Sequence, residues 1–339
     1  PLDQEAMQAA RERQNNLTKP RGSLGTLEEI SIRMAGITAD PSPRITKRMI
    51  TTMAADHGVV EDGVSAYPSD VTYQMVLNFL HGGAAINVLA EQINAKVVVV
   101  DLGVKQDFDP LPGLIRKKIA PGTKNISKGP AMSTEQAKAA LNRGAEVAQD
   151  LYQQGMSILA TGEMGIGNTT PSAAIGCVLT GEAPDRMVGR GTGVDDEGLE
   201  RKIGAVKSAL EVNHPNPKDS LDILTKVGGF EIGGLTGAIL FSAAHRIPVV
   251  IDGFISTAAA LLAVNFAPQV RDYLFCAHRS QEIGHQLMLD WLEIDPILDL
   301  NLRLGEGTGA ALAISIIEAS CNILNQMATF SEAGVSDQE

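Results

Sequence analysis

The sequence predicts an α/β fold built on a doubly wound, mainly parallel sheet with helices on both faces, and three observations carry that expectation. Short, nearly all-apolar runs recur along the chain, at residues 49–55, 96–100, 157–160 and 247–251. Runs without polar alternation are what parallel strands buried on both faces require. Each leads into an acidic residue near glycine, as Asp56-His57-Gly58, Asp101-Leu102-Gly103, Thr161-Gly162-Glu163 and Asp252-Gly253. Helical patterns separate the runs, which is the spacing of βαβ units. The third observation is composition: 34 of 339 residues are glycine, 44% are hydrophobic and only 4% aromatic. That describes a loop-rich α/β enzyme, poor in the rings that stack nucleic-acid bases.

The length suits one large domain or two modest ones. A net charge of -12 argues against a polyanionic partner, while leaving room for a local basic pocket that takes one phosphate. Cys177, Cys276 and Cys321 lie far apart with no metal-ligand spacing, so reduced thiols are expected rather than a disulfide framework. The polar N-terminus does not read as a signal peptide. Breaks such as Ala244-His245-Arg246 are expected to keep every apolar run short of a membrane span. A soluble, cytoplasmic protein is the expectation.

In chain order, a polar helix is predicted over 3–16 and a second over 27–35. Between them, Lys19 and Arg21 flank glycine in a loop that reads as solvated, with a phosphate contact as the alternative. The strand runs follow. In open α/β sheets ligands bind outside the carboxyl ends of the strands. Asp56, Asp101, Glu163 and Asp252 are therefore expected to ring one crevice, although each alone reads as the cap of a βα loop. His57 reads as a hydrogen-bonded structural histidine. Gly162-Glu163-Met164-Gly165-Ile166-Gly167-Asn168-Thr169-Thr170-Pro171 predicts a phosphate cradle, with Thr170 as N-cap and Pro171 opening a helix over 172–179. It lacks the Walker lysine and does not fit GxGxxG, so neither an NTPase nor a dinucleotide site is supported. Lys202, on a helix predicted over 199–212, follows the Gly-rich stretch Gly189-Arg190-Gly191-Thr192-Gly193. It could supply the point charge for a phosphate monoester; an exposed helix lysine is the plain alternative. HExxH, a Cys/His cluster and GxSxG are all missing from the sequence.

Near the far end stands Leu304-Gly305-Glu306-Gly307-Thr308-Gly309, directly before an apolar run that reads as a buried helix starting at Thr308 or Gly309. The helix dipole would lower the pKa of Glu306 and burial would raise it, toward the range a general base needs. A Gly-rich helix cap with a solvated Glu is the alternative this motif leaves open. From the residues alone, the chain is an enzyme for a phosphorylated small molecule with a glutamate base.

Six stretches also resemble one known family: residues 19–25, 55–59, 162–171, 226–230, 250–254 and 303–309, in order along the chain. It is similar in them to the nicotinate-nucleotide:dimethylbenzimidazole phosphoribosyltransferases, which activate the lower-ligand base of cobamides. The resemblance implies transfer of ribose 5-phosphate from nicotinate mononucleotide to an aromatic base, with release of nicotinate. It implies Glu306 as the base that deprotonates the acceptor and Glu163 as a second active-site carboxylate. Gly165, Gly167, Asn168, Thr169, Thr170 and Lys202 fall at the family's phosphate site. Gly191, Asp252 and Ser280 fall around ribose and nicotinate, and Tyr67, Met75, Met164 and Leu304 around the base. It further implies a Rossmann-like domain over 36–300, a small helical domain from 1–35 with 301–339, and a dimer. The leaving group already carries a positive pyridinium nitrogen, so no metal or cofactor is called for; nicotinate mononucleotide is a substrate.

One departure bears on the acceptor. Benzimidazole-activating members usually carry serine where Tyr67 stands and glutamine where Met75 stands. Both changes remove room or polar partners for a two-nitrogen heterocycle. They point to the subset that activates phenol or p-cresol, in which two homologous chains can form a heteromer; 5,6-dimethylbenzimidazole is the other acceptor. A weakly active partner subunit is the alternative role, and retention of Glu306 and the phosphate loop speaks against it.

Overall fold

The computed structural model describes residues 1–191 and 193–336; Thr192 of the second Gly-rich stretch and residues 337–339 lie outside them. The apolar runs do pair side by side. Strands β1 (Arg48–Ala55), β2 (Ala95–Gly103), β3 (Leu114–Arg116), β4 (Ile158–Met164), β5 (Val249–Ile251), β6 (Leu274–His278) and β7 (Pro296–Leu298) form one sheet in the order β3-β2-β1-β4-β5-β6-β7. Every neighbouring pair is parallel. The chain builds outward from β1 through β2 to β3, then returns to set β4 on the other side of β1. In register, Met53 stands opposite Val100 on one side and Glu163 on the other. The order thus reverses between β1 and β4, and a ligand crevice is expected outside the carboxyl ends there.

Three strands carry little or no signal in the sequence. Strand β6 is wholly buried and is legible in hindsight as Leu274-Phe275-Cys276-Ala277. Strands β3 and β7 are three residues each and mostly half-buried, too short for any period to show. Asp101 and Glu163 lie inside β2 and β4 rather than after them.

The helices are α1 (Gln4–Asn16), α2 (Thr26–Thr38), α3 (Asp70–Leu80), α4 (Ala85–Gln92), α5 (Thr134–Gln153), α6 (Thr169–Thr180), α7 (Pro184–Met187), α8 (Asp196–Asn213), α9 (Ser220–Val227), α10 (Phe230–Ala244), α11 (Phe254–Phe266), α12 (His285–Leu292), α13 (Thr308–Gln326) and α14 (Phe330–Ala333). Alternation along β1 assigns faces to the sheet. Met53 meets α10 at Gly234, whereas Ile50, of opposite parity, meets the start of α13 at Gly307. Successive strand residues point to opposite faces, so α10 and α13 cover the two sides. Helices α5 and α10 touch backbone to backbone: a Cβ on Gly144 would lie 1.8 Å from the carbonyl oxygen of Gly234, and one on Gly237 1.9 Å from that of Leu141.

Both chain ends meet on α13. Ala6 and Ala10 of α1, Ile32 and Ala35 of α2 and Leu324 of α13 make a small cluster of their own. Arg13 donates to the carbonyls of Leu324 and Met327, where the helix has carbonyls to spare. One apolar run is longer than the sequence suggests: α13, at 19 residues, passes by length and composition as a membrane span, yet 56% of its 18-residue apolar window is buried in the protein. It is a core helix.

The helix after the phosphate loop starts earlier than predicted, at Thr169 with Asn168 in the cap position. The Asn168 side chain is turned toward Glu163 instead of capping. Thr170 N–H closes a turn onto Gly167 O at 3.1 Å. Pro171 becomes the third helical residue, where a missing N–H costs nothing because the first four have no helical partner.

Candidate active site

At the carboxyl edge of the sheet, over the switch point, lies a cavity of about 640 Å³, in the size range of small-molecule sites. Glu306 forms part of it, on a turn of three consecutive left-handed residues: Gly305 at φ 86°, Glu306 at 65° and Gly307 at 97°. For a residue with a Cβ that conformation costs about 1–2 kcal/mol. Three contacts hold it. Gly162 on β4 leaves room, since a Cβ there would come 2.2 Å from Glu306 O. Thr52 Oγ1 donates to that same oxygen at 3.1 Å. Asp252, at the end of β5, accepts from Gly307 N at 3.1 Å and Ala310 N at 3.0 Å. The side chain reaches the first turn of α4, where Ile86 N–H donates to Oε2 at 3.4 Å. Burial raises the pKa of Glu306, the Ile86 N–H pulls it down, and the Asp252 charge pushes it up again. A buried carboxylate with one weak partner is a base held ready.

Asp252 is almost fully buried and does not line the cavity, in contrast to the ligand-contacting position that the resemblance implied. Its carboxylate is taken up by the N-terminus of α13, so it orients Glu306. The charge ring expected from the four strand ends is therefore incomplete. Asp56 accepts from Lys105 N at 2.7 Å and Asp101 from Val104 N at 2.9 Å, and both are caps of βα loops. Only Glu163 of the four faces the cavity. Burial lifts its pKa to about 8, against the pull of Asn168 and with the charges of Glu231, Asp252 and Glu306 adding to the rise. These surroundings shift Glu163 toward its protonated, neutral form.

One part of the cavity presents donors of the kind an anion takes. Gly165, Gly167, Asn168 and Thr169 line it at the N-terminus of α6, together with Gly191 and Lys202. Thr170, in contrast, is fully buried and its Oγ1 has no partner; it belongs to the core. Lys202 is no exposed helix lysine. It is 1% exposed, and its Nζ donates to Thr169 Oγ1 and Gly189 O, both at 2.9 Å. Burial lowers its pKa to about 8, opposed by the charge of Glu282. A lysine so held keeps one donor for a ligand.

Much of the remaining lining is apolar: Val64, Tyr67, Val71 and Met75 from α3 and the loop before it, with Met164 and Leu304. Tyr67 is 50% exposed and Leu304 58%, so these two stand at the mouth. Ser280 lines the cavity beside Gly253; its N–H donates to His285 Nδ1 at 2.9 Å. His57 is the structural histidine it was read to be. Its Nε2 lies 2.6 Å from Glu231 Oε1 with both side chains buried, outside the cavity lining.

Sequence reasoning missed Glu231, Glu282 and His278. The first was findable as the lone carboxylate in the apolar stretch 230–244. The other two belong to no motif that marks them. Among the described residues no group of three or more His, Cys, Asp and Glu is arranged to hold a metal ion.

Comparison with known proteins gives the family and the fold. The Phosphoribosyltransferase family model matches residues 1–335. A nicotinate-nucleotide–dimethylbenzimidazole phosphoribosyltransferase of Desulforudis audaxviator is 56% identical over 336 residues, covering 99% of this chain and 95% of its own. One from Chloroflexus aurantiacus is 56% identical over 338 residues, covering 100% and 96%. Among solved structures, the nicotinate-nucleotide–dimethylbenzimidazole phosphoribosyltransferase of Thermus thermophilus superposes with a TM-score of 0.95 at 46% identity, covering 99% of this chain and 100% of that one.

Proposed function

The chain belongs to the nicotinate-nucleotide–dimethylbenzimidazole phosphoribosyltransferase family, and from that premise we propose that it moves the ribose 5-phosphate of nicotinate mononucleotide onto an aromatic acceptor held beside Glu306. The observation that carries the proposal is the convergence of three unlike features on one cavity: a buried carboxylate base, an anion seat at a helix N-terminus with a buried lysine, and an apolar wall. Each matches one part of the reaction. The nucleotide phosphate goes to the α6 terminus and Lys202. The acceptor ring lies on the wall of Tyr67, Val71 and Met75. Glu306 takes the acceptor's proton as the acceptor's lone pair bonds to C1′; the C1′–N bond breaks, and its electron pair neutralises the pyridinium of the departing nicotinate. Positive charge that develops on the ribose is met by the carboxylate of Glu163, which releases its proton to solvent as the cationic nucleotide binds. Holding both reactants in line supplies much of the acceleration.

As the finer reading, the acceptor is phenol or p-cresol. Tyr67 and Met75 give it a flat ring wall and an adaptable apolar one. A phenol's nucleophilic oxygen carries the very proton that must leave, at a pKa near 10, which leans hardest on a buried base. The relatives named for dimethylbenzimidazole favour that base as the second reading. A dimer, homomeric or with a homologous chain, is the working unit we infer from the resemblance, and the cytoplasm is its place. The test is competition between the two acceptors in the presence of nicotinate mononucleotide. Tyr67→Ser with Met75→Gln is expected to move the kcat/KM ratio toward dimethylbenzimidazole by about 10–200-fold, the worth of an apolar contact. An unchanged ratio removes the phenol reading, and no transfer to either acceptor removes the reaction.

A further inference from the structure

Glu282 has no place in the reaction as derived so far, yet it lines the same cavity as Lys202, Thr169 and Gly191. It is almost buried, and its Oε2 has no hydrogen-bond partner. A Cβ on Gly189 would come 2.3 Å from that oxygen, so the Gly-rich stretch closes directly over the carboxyl. The charged side chains facing it are Lys202 from α8 and Arg303 from the segment before Glu306, and the Gly191 N–H also points toward it. Lys202 has given two of its three donors to Thr169 and Gly189. An anion on the third donor therefore lies on the side of the cavity that Glu282 also lines. A nucleotide phosphate is close to a dianion at neutral pH, and two anions sharing a site push one proton affinity strongly upward.

Resting on the phosphate position proposed above, we propose that Glu282 is the proton partner of that phosphate. As the phosphate enters, the carboxylate takes one proton from solvent and donates it as an O–H hydrogen bond to a phosphate oxygen. No other bond changes: carboxylate, proton and phosphate become carboxylic acid and hydrogen-bonded phosphate. The balance of groups fits this step. Burial raises the Glu282 pKa, opposed by Lys202, so the proton is added to a group prepared for it. Such a carboxyl is a specificity device. It favours an oxyanion that accepts a hydrogen bond, and it offers nothing to the nucleoside.

The experiment is calorimetric binding of nicotinate mononucleotide and of nicotinate riboside, in buffers of different ionisation enthalpy between pH 6.5 and 7.5. Both ligands carry the pyridinium, so any proton released at Glu163 cancels between them. Wild type is expected to take up as much as one proton more with the nucleotide than with the riboside. Its nucleotide affinity should fall by as much as about tenfold per pH unit. Glu282→Gln should lose the extra proton, flatten the pH dependence and bind the nucleotide at least as tightly at pH 7.5. Equal proton counts in wild type and variant, or a uniform weakening at every pH, would overturn the proposal. Should the variant fail to fold, wild type alone decides, since equal counts for nucleotide and riboside would also overturn it. Lys202→Ala separates this from failure of the site itself: if that change leaves nucleotide affinity unaltered, the phosphate does not bind here and the earlier reading falls with it.

Discussion

Glu306 combines two costs, a left-handed backbone and a buried charge, and each is met by a different neighbour. Glu306→Gln keeps the backbone contacts and removes only the base, so nucleotide affinity should hold while kcat falls by about 10²–10⁴-fold. Near-normal turnover in that variant would place the base elsewhere, Glu163 first. The wild-type rate should climb with pH, because burial raises the pKa of Glu306 and the base works only when ionised. Stability runs the other way. Glu163 titrates near 8 in the folded chain against an ordinary 4.5, so the native state holds a proton that the unfolded chain has released. That contribution is complete below about pH 4.5 and is lost as pH rises toward 8. Asp252 and Glu282, also raised by burial, have the same sign. His285, lowered to about 3 by burial, runs the opposite way below about pH 6.5, so melting temperature should decline from pH 6.5 to 8, and Glu163→Gln should gain on wild type across that span. A constant gap between the two melting curves would show that Glu163 stays ionised. At this scale the sequence marks Glu306 well, because a carboxylate between glycines before a helix is a local pattern. The orienting role of Asp252 is not local: its partners lie 55 and 58 residues downstream, and a single Asp at a strand end looks the same whether it binds a ligand or a backbone.

Helices α1, α2 and α13 begin within a residue or so of where the sequence places them; α1 starts at Gln4 rather than Asp3, because Asp3 caps it and accepts from Ala6 N at 2.9 Å. The start of α6 was misplaced because the best capping residue on paper, Thr170, is drawn into the core, while Asn168 is committed to Glu163. The contact between α5 and α10 is likewise invisible in a window of sequence. Gly144, Gly234 and Gly237 read there as weak points of helices, whereas in the fold they are the surfaces through which two backbones touch. Gly237→Ala should destabilise the protein by roughly 1–3 kcal/mol or more, the cost of overpacking, offset only slightly by the better helix propensity of alanine. Urea unfolding at neutral pH measures it. A gain in stability would mean that the helices separate without penalty. Since α10 lies on the face away from Glu306, the KM for the nucleotide should stay near its wild-type value in whatever fraction remains folded.

Across the whole molecule, the parallel sheet was legible because the middles of four of its strands are buried on both faces, so their apolar runs show no polar alternation, and the few polar residues, such as Thr51, Thr52 and Thr161, are themselves buried. The order of those strands was not written locally. Crossovers fix it, and only the assembled sheet shows that β1 sits between β2 and β4 with the cavity above that junction. The cavity therefore draws on the chain very unevenly. From everything before β4, its lining takes Val64, Ser65, Tyr67, Val71 and Met75 alone, while the rest comes from Glu163 onward. In terms of descent, the acceptor wall proposed above falls mostly within about a dozen adjacent codons, with Met164 and Leu304 outside them. The apparatus for the nucleotide is spread over some hundred and forty residues and resists piecemeal change. Lineages should thus diverge in the aromatic partner they accept far more readily than in the donor they consume. Transplanting residues 64–75 from a relative with a different acceptor is expected to carry the preference across in one step, with the Kd for nicotinate mononucleotide moving less than threefold. A chimera that loses donor affinity along with acceptor choice would show that the two are inherited together.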